Sequence, residues 1–471
     1  MAKKKKESEV IVSFENSESV NGVTGSSVKI ESPTRTILLE CGLKQGGMGL
    51  KEAYLTNNRN FPFKVKDIDY TFVLHSHLDH IGLLPKLVKR GYNKQIIVPQ
   101  GNIRITEKLL KNCAFILEGE AKYLAKKSKD SKEFAPIYTE LDVDETMGLV
   151  REYPINQTIE LDEDVRFTLI NSGHITASCS LVLELRVDGN NWKKILYTSD
   201  LGNSIHKQYY VNPIQSIASC DMVISECTYS TKKQSSEKTD EREKDFQRIA
   251  SAIEQSKVVL IPSFSFGRSQ TLATMLYEMY YGKDIDFDIY MDSVLMNDMN
   301  EIYKQDFAEY RKVLDWDKIH LISRADREGL FKSDKKKVVI ASSGMMQGNS
   351  ASVSWLSHII EKTYNTIVFC GYMAEGTLGR KIKEAKQKTL TISGTVRKNK
   401  CNIVGLKSMS GHIQHGELLD YLGKINCEKV LLHHGNKDGV LSFKKELEEV
   451  YSNKCKTTKV LVPNQKSKIK I

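Results

Sequence analysis

The sequence predicts a layered α/β protein with two or three cores. Apolar, β-branched runs alternate with helical stretches along the chain. At 471 residues the chain is long enough for more than one core. Polar residues that can ligate metals recur where strand-like runs end, which is where layered α/β folds gather reactive groups. An apolar content of 40% and a charged content of 27% are ordinary for a globular protein.

Taken in order, Thr36–Leu39, Tyr70–Leu74 and Ile96–Val98 read as strands, and Glu107–Ala125 reads as a helix. Val165–Ile170, Lys194–Ser199 and Met222–Ile224 are the next strands. The segment Tyr229–Glu241 is polar and loop-like, carrying Lys232, Lys233, Ser235, Ser236 and Lys238, and suits a crossing between domains. Beyond it, Asp240–Ala252 reads as a helix and Val258–Ile261, Val338–Ile340 and Thr366–Phe369 as strands. Gly416–Leu422 is helical and Val430–His433 a further strand. No internal repeat of the solenoid kind is present.

The most informative residues follow Tyr70–Leu74 directly: His75-Ser76-His77-Leu78-Asp79-His80. Three of the chain's 11 histidines stand here. Three imidazoles and a carboxylate form a ligand set that borderline divalent metals such as zinc favour. A loop leaving a strand aims close-spaced side chains at one point more readily than a continuous helix. One tetrahedral zinc with an open position would not use four such crowded groups, so two metals are expected, with further ligands from elsewhere. His174 follows Val165–Ile170, Asp200 follows Lys194–Ser199, and His434 follows Val430–His433.

The order HxHxDH, His, Asp, His resembles the metallo-β-lactamase superfamily of binuclear zinc hydrolases. Further stretches resemble its β-CASP branch, whose members process nucleic acids. They are Gly22–Ser27, Ser225-Glu226-Cys227-Thr228-Tyr229, Ile261–Arg268, Ala341–Met345, Glu375–Arg380 and Ser410-Gly411-His412. The resemblance runs from about residue 10 onward. It implies an αββα metallo-β-lactamase sandwich with an inserted α/β β-CASP domain and an active site in the cleft between them. Because the candidate ligands lie before residue 201 and after residue 400, the sandwich is expected to be discontinuous, over 1–207 and 395–471, with the insert at 208–394.

By the same resemblance, His75, His77 and His174 hold one zinc, Asp79, His80 and His434 hold a second, and Asp200 bridges them; the set also suits manganese. Two such cations neutralise a phosphodiester and supply a water nucleophile near neutral pH. His412 is expected to protonate the leaving oxygen, with Glu226 orienting it. Arg268, Arg380, Ser343 and Gly344 are expected to hold backbone phosphates, since arginine suits bidentate phosphate contact. Glu40 stands where the family usually carries an aspartate that braces the ligand loop. The usual glycine-serine pair after His174 is replaced by Ala177-Ser178. His415 and His433 neighbour motif histidines and are read as non-ligands.

The resulting expectation is a zinc-dependent ribonuclease, endonucleolytic with 5′–3′ exonuclease activity in addition, acting on single-stranded RNA. A DNA nuclease is the alternative, but DNA-processing relatives tend to carry valine where this chain has His434. A nonenzymatic scaffold would have lost ligands, and a small-molecule hydrolase would lack the insert. The net charge of +10 suits a polyanionic partner. Lys335-Lys336-Lys337 reads as a solvated face, and Met1–Lys6 as a solvated basic tail rather than a secretory signal. No apolar run reaches the ~20 residues of a membrane span. The nine scattered cysteines show no CxxC pair, which argues for a reducing cytoplasm. A homodimer is the oligomeric form to test.

Overall fold

The computed structural model describes residues 9–15, 22–128, 134–206, 208–231, 240–371, 373, 376–384, 389–465 and 467–471. The lysine tail, residues 232–239 of the expected crossing, and Glu375 lie outside the described residues. The chain divides into two compact units, one of 1–204, 211–237 and 411–471, the other of 205–210 and 238–410.

Two seven-stranded sheets build the first unit. One runs Lys468–Lys470, Ile11–Phe14, Val28–Glu31, Thr36–Leu39, Tyr70–Phe72, Ile96–Pro99, Val150–Tyr153. The other runs Lys459–Leu461, Lys429–His433, Met222–Glu226, Asn191–Tyr197, Cys179–Asp188, Val165–Asn171, Thr158–Asp162. Their inner faces share one core, in which Val12, Ile30, Ile37 and Leu39 meet Phe167, Leu181, Leu183 and Tyr197. Phe72 and Phe167 meet edge to face at 5.1 Å. Strands covered on both faces read as continuous apolar runs, and Ile96–Pro99 and Met222–Glu226 are buried at every position.

The outer face of the second sheet is sealed by helices His415–Lys424 and Lys437–Asn453 through Leu418, Leu422, Phe443, Leu447 and Tyr451. On the first sheet, Leu38, Ile96 and Val98 are buried yet belong to no part of the inter-sheet core. Helices Leu84–Lys89, Ile103–Lys127 and Glu140–Leu149 pack together in the same unit. The helix expected at 107–125 is longer at both ends; its buried stripe already includes Ile105 and Thr106 and extends to Leu124.

The second unit holds a parallel six-stranded sheet: Ile319–Ile322, Phe287–Asp292, Lys336–Ala341, Val258–Pro262, Asn365–Phe369, Asn402–Gly405. Helix Ala351–Ile359 covers one face, Trp355, Leu356 and Ile359 packing on Leu260, Val339, Ile367 and Phe369. The hairpin Thr389–Ile392 and Thr395–Lys398 adds Leu390 and Ile392 to this core.

Strand pairing moves the division away from the residues that ligand positions suggest. Met222–Glu226 pairs in parallel with Asn191–Tyr197 and Lys429–His433, so it lies in the first unit. Asn402–Gly405 pairs with Asn365–Phe369, so residues 395–410 lie in the second. The lysine run is also corrected. Lys337 is buried, and its ammonium donates to Leu330 O and Ser333 O at the end of helix Arg327–Lys332.

Candidate metal centre

Tyr70–Phe72 runs parallel between Thr36–Leu39 and Ile96–Pro99, and His75 leaves just beyond its end. His77 is the N-cap of a single helical turn, Leu78–Ile81, which carries Asp79 and His80. The ligand segment is therefore part loop and part helix, where the spacing suggested a loop. Neighbouring backbone fixes the turn: Ser26 N donates to Asp79 O at 2.8 Å and Cys41 N to His80 O at 2.8 Å. Gly42 permits this approach, since a Cβ there would lie 1.7 Å from Asp79 O. The Gly22–Ser27 stretch thus shapes the ligand turn.

His174 follows strand Val165–Asn171, and Ser178 Oγ accepts from its backbone N–H at 3.1 Å. His174 Nδ1 donates to Gly411 O at 3.1 Å, which leaves Nε2 with its lone pair. His75 is set in the same way. Its Nδ1 stands 3.2 Å from Ser199 Oγ, and that hydroxyl donates to Glu40 Oε1 at 3.0 Å. The hydroxyl has one proton and gives it to Glu40, so Nδ1 is the donor and Nε2 again carries a lone pair. Glu40 also accepts from Leu74 N and stands 3.6 Å from His80 Nδ1.

Asp200 lies at the centre. Its Oδ2 is 3.6 Å from His75 Nε2 and 3.5 Å from His174 Nε2. Its Oδ1 is 3.5 Å from His80 Nε2 and 3.4 Å from His434 Nδ1. His77 Nδ1 faces His174 Nε2 at 3.3 Å. These separations are long for hydrogen bonds. They match ligands sharing an ion, because two donors about 2.1 Å from a tetrahedral zinc stand roughly 3.4 Å apart. Candidate ligand atoms group as His75, His77, His174, Asp200 and as Asp79, His80, His434.

The fit to a metal rests on orphaned atoms. His75 Nε2, both ring nitrogens of His80, Asp200 Oδ1 and His434 Nε2 are buried with no hydrogen-bond partner among the described residues. A buried polar atom without a partner is costly, and cations held in the cluster would satisfy His75 Nε2, His80 Nε2, Asp200 Oδ1 and His434 Nε2, while His80 Nδ1 faces Glu40. Burial holds His75 and His174 well below the usual imidazole range and His77 at about 4, so these three are neutral, the form that ligates. His80 goes the other way: burial opposes its charge, but Asp200 and Asp79 outweigh it. The site attracts positive charge at that point.

His412 borders the cluster, held by a backbone bridge to Gly202. Its Nδ1 lies 3.2 Å from both Glu226 oxygens, and its Nε2 faces Asp200 Oδ2 at 4.0 Å. The side chain is 23% exposed, whereas Glu226 is buried. Burial works against the imidazolium, but Glu226, then Asp200 and Asp79, raise His412 to about 9. Glu226 is itself held by the backbone N–H groups of Leu201 and Thr228.

The two neighbouring histidines point elsewhere. His433 stacks on Tyr197 at 5.6 Å and packs on Phe14, inside the inter-sheet core. The next residue, His434, has φ +53°, and this left-handed turn brings it to Asp200. His415 pairs with Glu446. Ser199, which joins His75 to Glu40, escaped the sequence reading; its position beside Asp200 was the available signal.

Within the second unit, Ser343 and Gly344 leave strand Lys336–Ala341 beside its parallel neighbour Val258–Pro262. A Cβ on Gly344 would lie 3.0 Å from Phe264 N, so the two loops touch. Arg268 opens helix Arg268–Tyr280 and donates to Cys370 O at 2.6 Å. Arg380 pairs with Glu384 at 2.8 Å, and its neighbour Gly379 donates from N to Met345 O. All four residues thus stand beyond the C-terminal ends of neighbouring parallel strands, where open α/β sheets bind ligands.

Comparison with known proteins agrees with this layout. Residues 269–382 match the family described as "Beta-Casp domain", and residues 398–462 the "Zn-dependent metallo-hydrolase RNA specificity domain". Residues 23–240 match the family "Anti-Pycsar protein Apyc1". The chain is 25% identical over 450 residues to transcription termination factor FttA of Methanocaldococcus jannaschii, covering 89% of this chain and 66% of that protein. It is 26% identical over 439 residues to ribonuclease TTHA0252 of Thermus thermophilus, covering 90% of this chain and 93% of that one. The chain therefore spans just under two thirds of the length of the first of these relatives. A crystal structure of a protein of unknown function from Enterococcus faecalis shares the fold, with a TM-score of 0.56 at 10% identity over 98% of this chain and all of that one. With two successive family matches and a metallo-β-lactamase sandwich interrupted by a parallel α/β unit, the chain belongs to the β-CASP branch of the metallo-β-lactamase superfamily.

Proposed function

We propose that the chain is a zinc-dependent ribonuclease that hydrolyses RNA phosphodiester bonds at a two-metal centre. The observation that carries this is Asp200, one oxygen facing His75 and His174 and the other facing His80 and His434. His75, His77 and His174 would hold one zinc, Asp79, His80 and His434 the other, and Asp200 both. Bound there, the ions supply charge neutralisation for the phosphate and an activated water at neutral pH.

The chain's own groups do the rest. Glu40 and Ser199 fix the His75 tautomer, and Gly411 O fixes that of His174. His412, protonated and held through Nδ1 by Glu226, presents Nε2–H toward the centre. As water oxygen bonds to phosphorus and the phosphorus–oxygen bond to the leaving ribose breaks, that proton passes to the leaving oxygen. Arg268, Arg380, Ser343 and Gly344 are the proposed contacts for flanking phosphates.

Single-stranded RNA is the proposed substrate, cut internally and, in addition, from the 5′ end. The names of two relatives, ribonuclease TTHA0252 of Thermus thermophilus and endoribonuclease ysh1 of Schizosaccharomyces pombe, support RNA. All nine cysteines are unpaired, which suits a reducing cytoplasm. Among the described residues no helix is long and apolar enough to cross a membrane. The test is incubation of zinc-loaded protein with end-labelled single-stranded RNA and matched DNA, with products mapped and sedimentation run for a homodimer. Cleavage of DNA alone, or of neither, refutes the reading.

A further inference from the structure

A basic depression lies within the second unit. Its volume is about 540 Å³, and Arg324, Arg327 and Arg397 line it, with no carboxylate among the described lining residues. It sits between helix Arg327–Lys332, the start of helix Ala351–Ile359, and the turn of the hairpin Thr389–Ile392 and Thr395–Lys398.

The three arginines differ in a useful way. Arg327 is locked: its Nε and Nη2 clasp the buried Asp292 at 2.6 and 2.8 Å, and Trp355 Nε1 donates to the same carboxylate. Its Nη1 is left outside that clasp. Arg397 reaches Glu361 at 3.3 Å through Nη1, but its Nε is buried without a partner among the described residues. Arg324 is exposed and makes no ion pair among the described residues. The rim adds hydroxyl donors from Ser350, the N-cap of helix Ala351–Ile359, and from Ser354. One wall is aromatic: Phe331 stacks on His358 with centroids 4.4 Å apart and planes 11° apart.

Guanidinium forks, a helix start and hydroxyls around a carboxylate-free hollow match a phosphate group. The aromatic wall gives a flat apolar surface beside it, and the volume exceeds what a bare anion needs. We propose that this depression is a separate binding site for the phosphate group of a nucleotide, either free or within an RNA strand. Phosphate recognition stands on the arginines; the choice of a nucleotide rests on the RNA-hydrolase reading.

The test is calorimetric titration of the full chain with AMP, adenosine and inorganic phosphate. It is run in a His77→Ala background, so that phosphate binding at the histidine centre is impaired, and again after adding Arg324→Gln and Arg397→Gln. Arg327 is left intact because it holds Asp292. The expected result is AMP binding that survives His77→Ala and weakens about tenfold or more on removal of the two arginines, as loss of charged hydrogen bonds predicts. Adenosine should not bind, and inorganic phosphate should bind less tightly than AMP. Displacement of AMP by a 5′-phosphorylated oligoribonucleotide assigns the phosphate to a strand, and its absence assigns it to a free nucleotide; both uphold the site. AMP affinity unchanged by the arginine substitutions overturns it, and inorganic phosphate binding as tightly as AMP overturns the nucleotide. A protein inactive on RNA that still shows arginine-dependent AMP binding fails the hydrolase reading alone. Thermal melting checks that each variant is folded.

Discussion

Replacing His412 by alanine separates proton donation from metal binding. The substitution removes the imidazole whose Nδ1 meets Glu226 at 3.2 Å and whose Nε2 faces Asp200. It leaves the neighbouring network in place. Glu226 keeps the N–H groups of Leu201 and Thr228, so its buried carboxylate is not stranded. His174 keeps its acceptor, because that is the backbone carbonyl of Gly411. Both proposed ions should stay bound. A positioned proton donor contributes roughly 10²–10⁴ in rate, or about 2.7–5.5 kcal/mol of barrier. Cleavage of end-labelled RNA by His412→Ala should slow by that factor, with metal content measured in the same preparation. The deficit should shrink on a nitrophenyl phosphodiester, whose leaving group departs without a proton. Equal impairment on both substrates, or loss of an ion, refutes His412 as the acid.

Three further outcomes follow from the same geometry. In the proposed mechanism His412 acts protonated, and Glu226 raises its pKa, so activity should fall as pH rises through that pKa; Glu226→Gln should move this alkaline limb to lower pH, and an unmoved limb contradicts the pairing. Glu40→Ala removes the acceptor that orients Ser199 and flanks His80, and should weaken zinc affinity roughly 10- to 100-fold in chelator competition; unchanged affinity would deny Glu40 its bracing role. Stripping metal should lower the Tm, with recovery on adding zinc, because buried His75, His80, Asp200 and His434 atoms lose their partner; elemental analysis of active protein finding fewer than two ions per chain would refute the binuclear centre.

The grouping of His75, His77, Asp79 and His80 with His174, Asp200 and His434 was legible because it rests on close spacing and residue type. His75, His77, Asp79 and His80 propose a cation site before any fold is known. The choice between His433 and His434 was not legible from local pattern, since both end the same strand. A left-handed backbone turn at His434 decides it, and that conformation depends on surrounding structure. The single turn Leu78–Ile81 is too short to leave a periodic pattern, so it read as a loop. Lys337 sits in a charge run, yet it belongs to a strand buried from its second residue onward, and backbone carbonyls satisfy it. The unit boundary depends on which strand pairs with Asn402–Gly405, a long-range choice that short windows do not contain. Ser199 was missed because a hydroxyl relay is a property of three distant segments brought together.

The interrupted sandwich also sets a timetable. Six of the seven proposed ligands have been synthesised by Asp200, but His434 and the proposed proton donor His412 appear only after the second unit's 238–410 has been made. The strand Lys468–Lys470, which pairs with Ile11–Phe14, comes later still. A ribosome-bound chain thus carries six of the seven proposed ligands while the whole second unit is still being made. In the proposed mechanism, any chain broken off before residue 411 lacks both the seventh ligand and the proton donor.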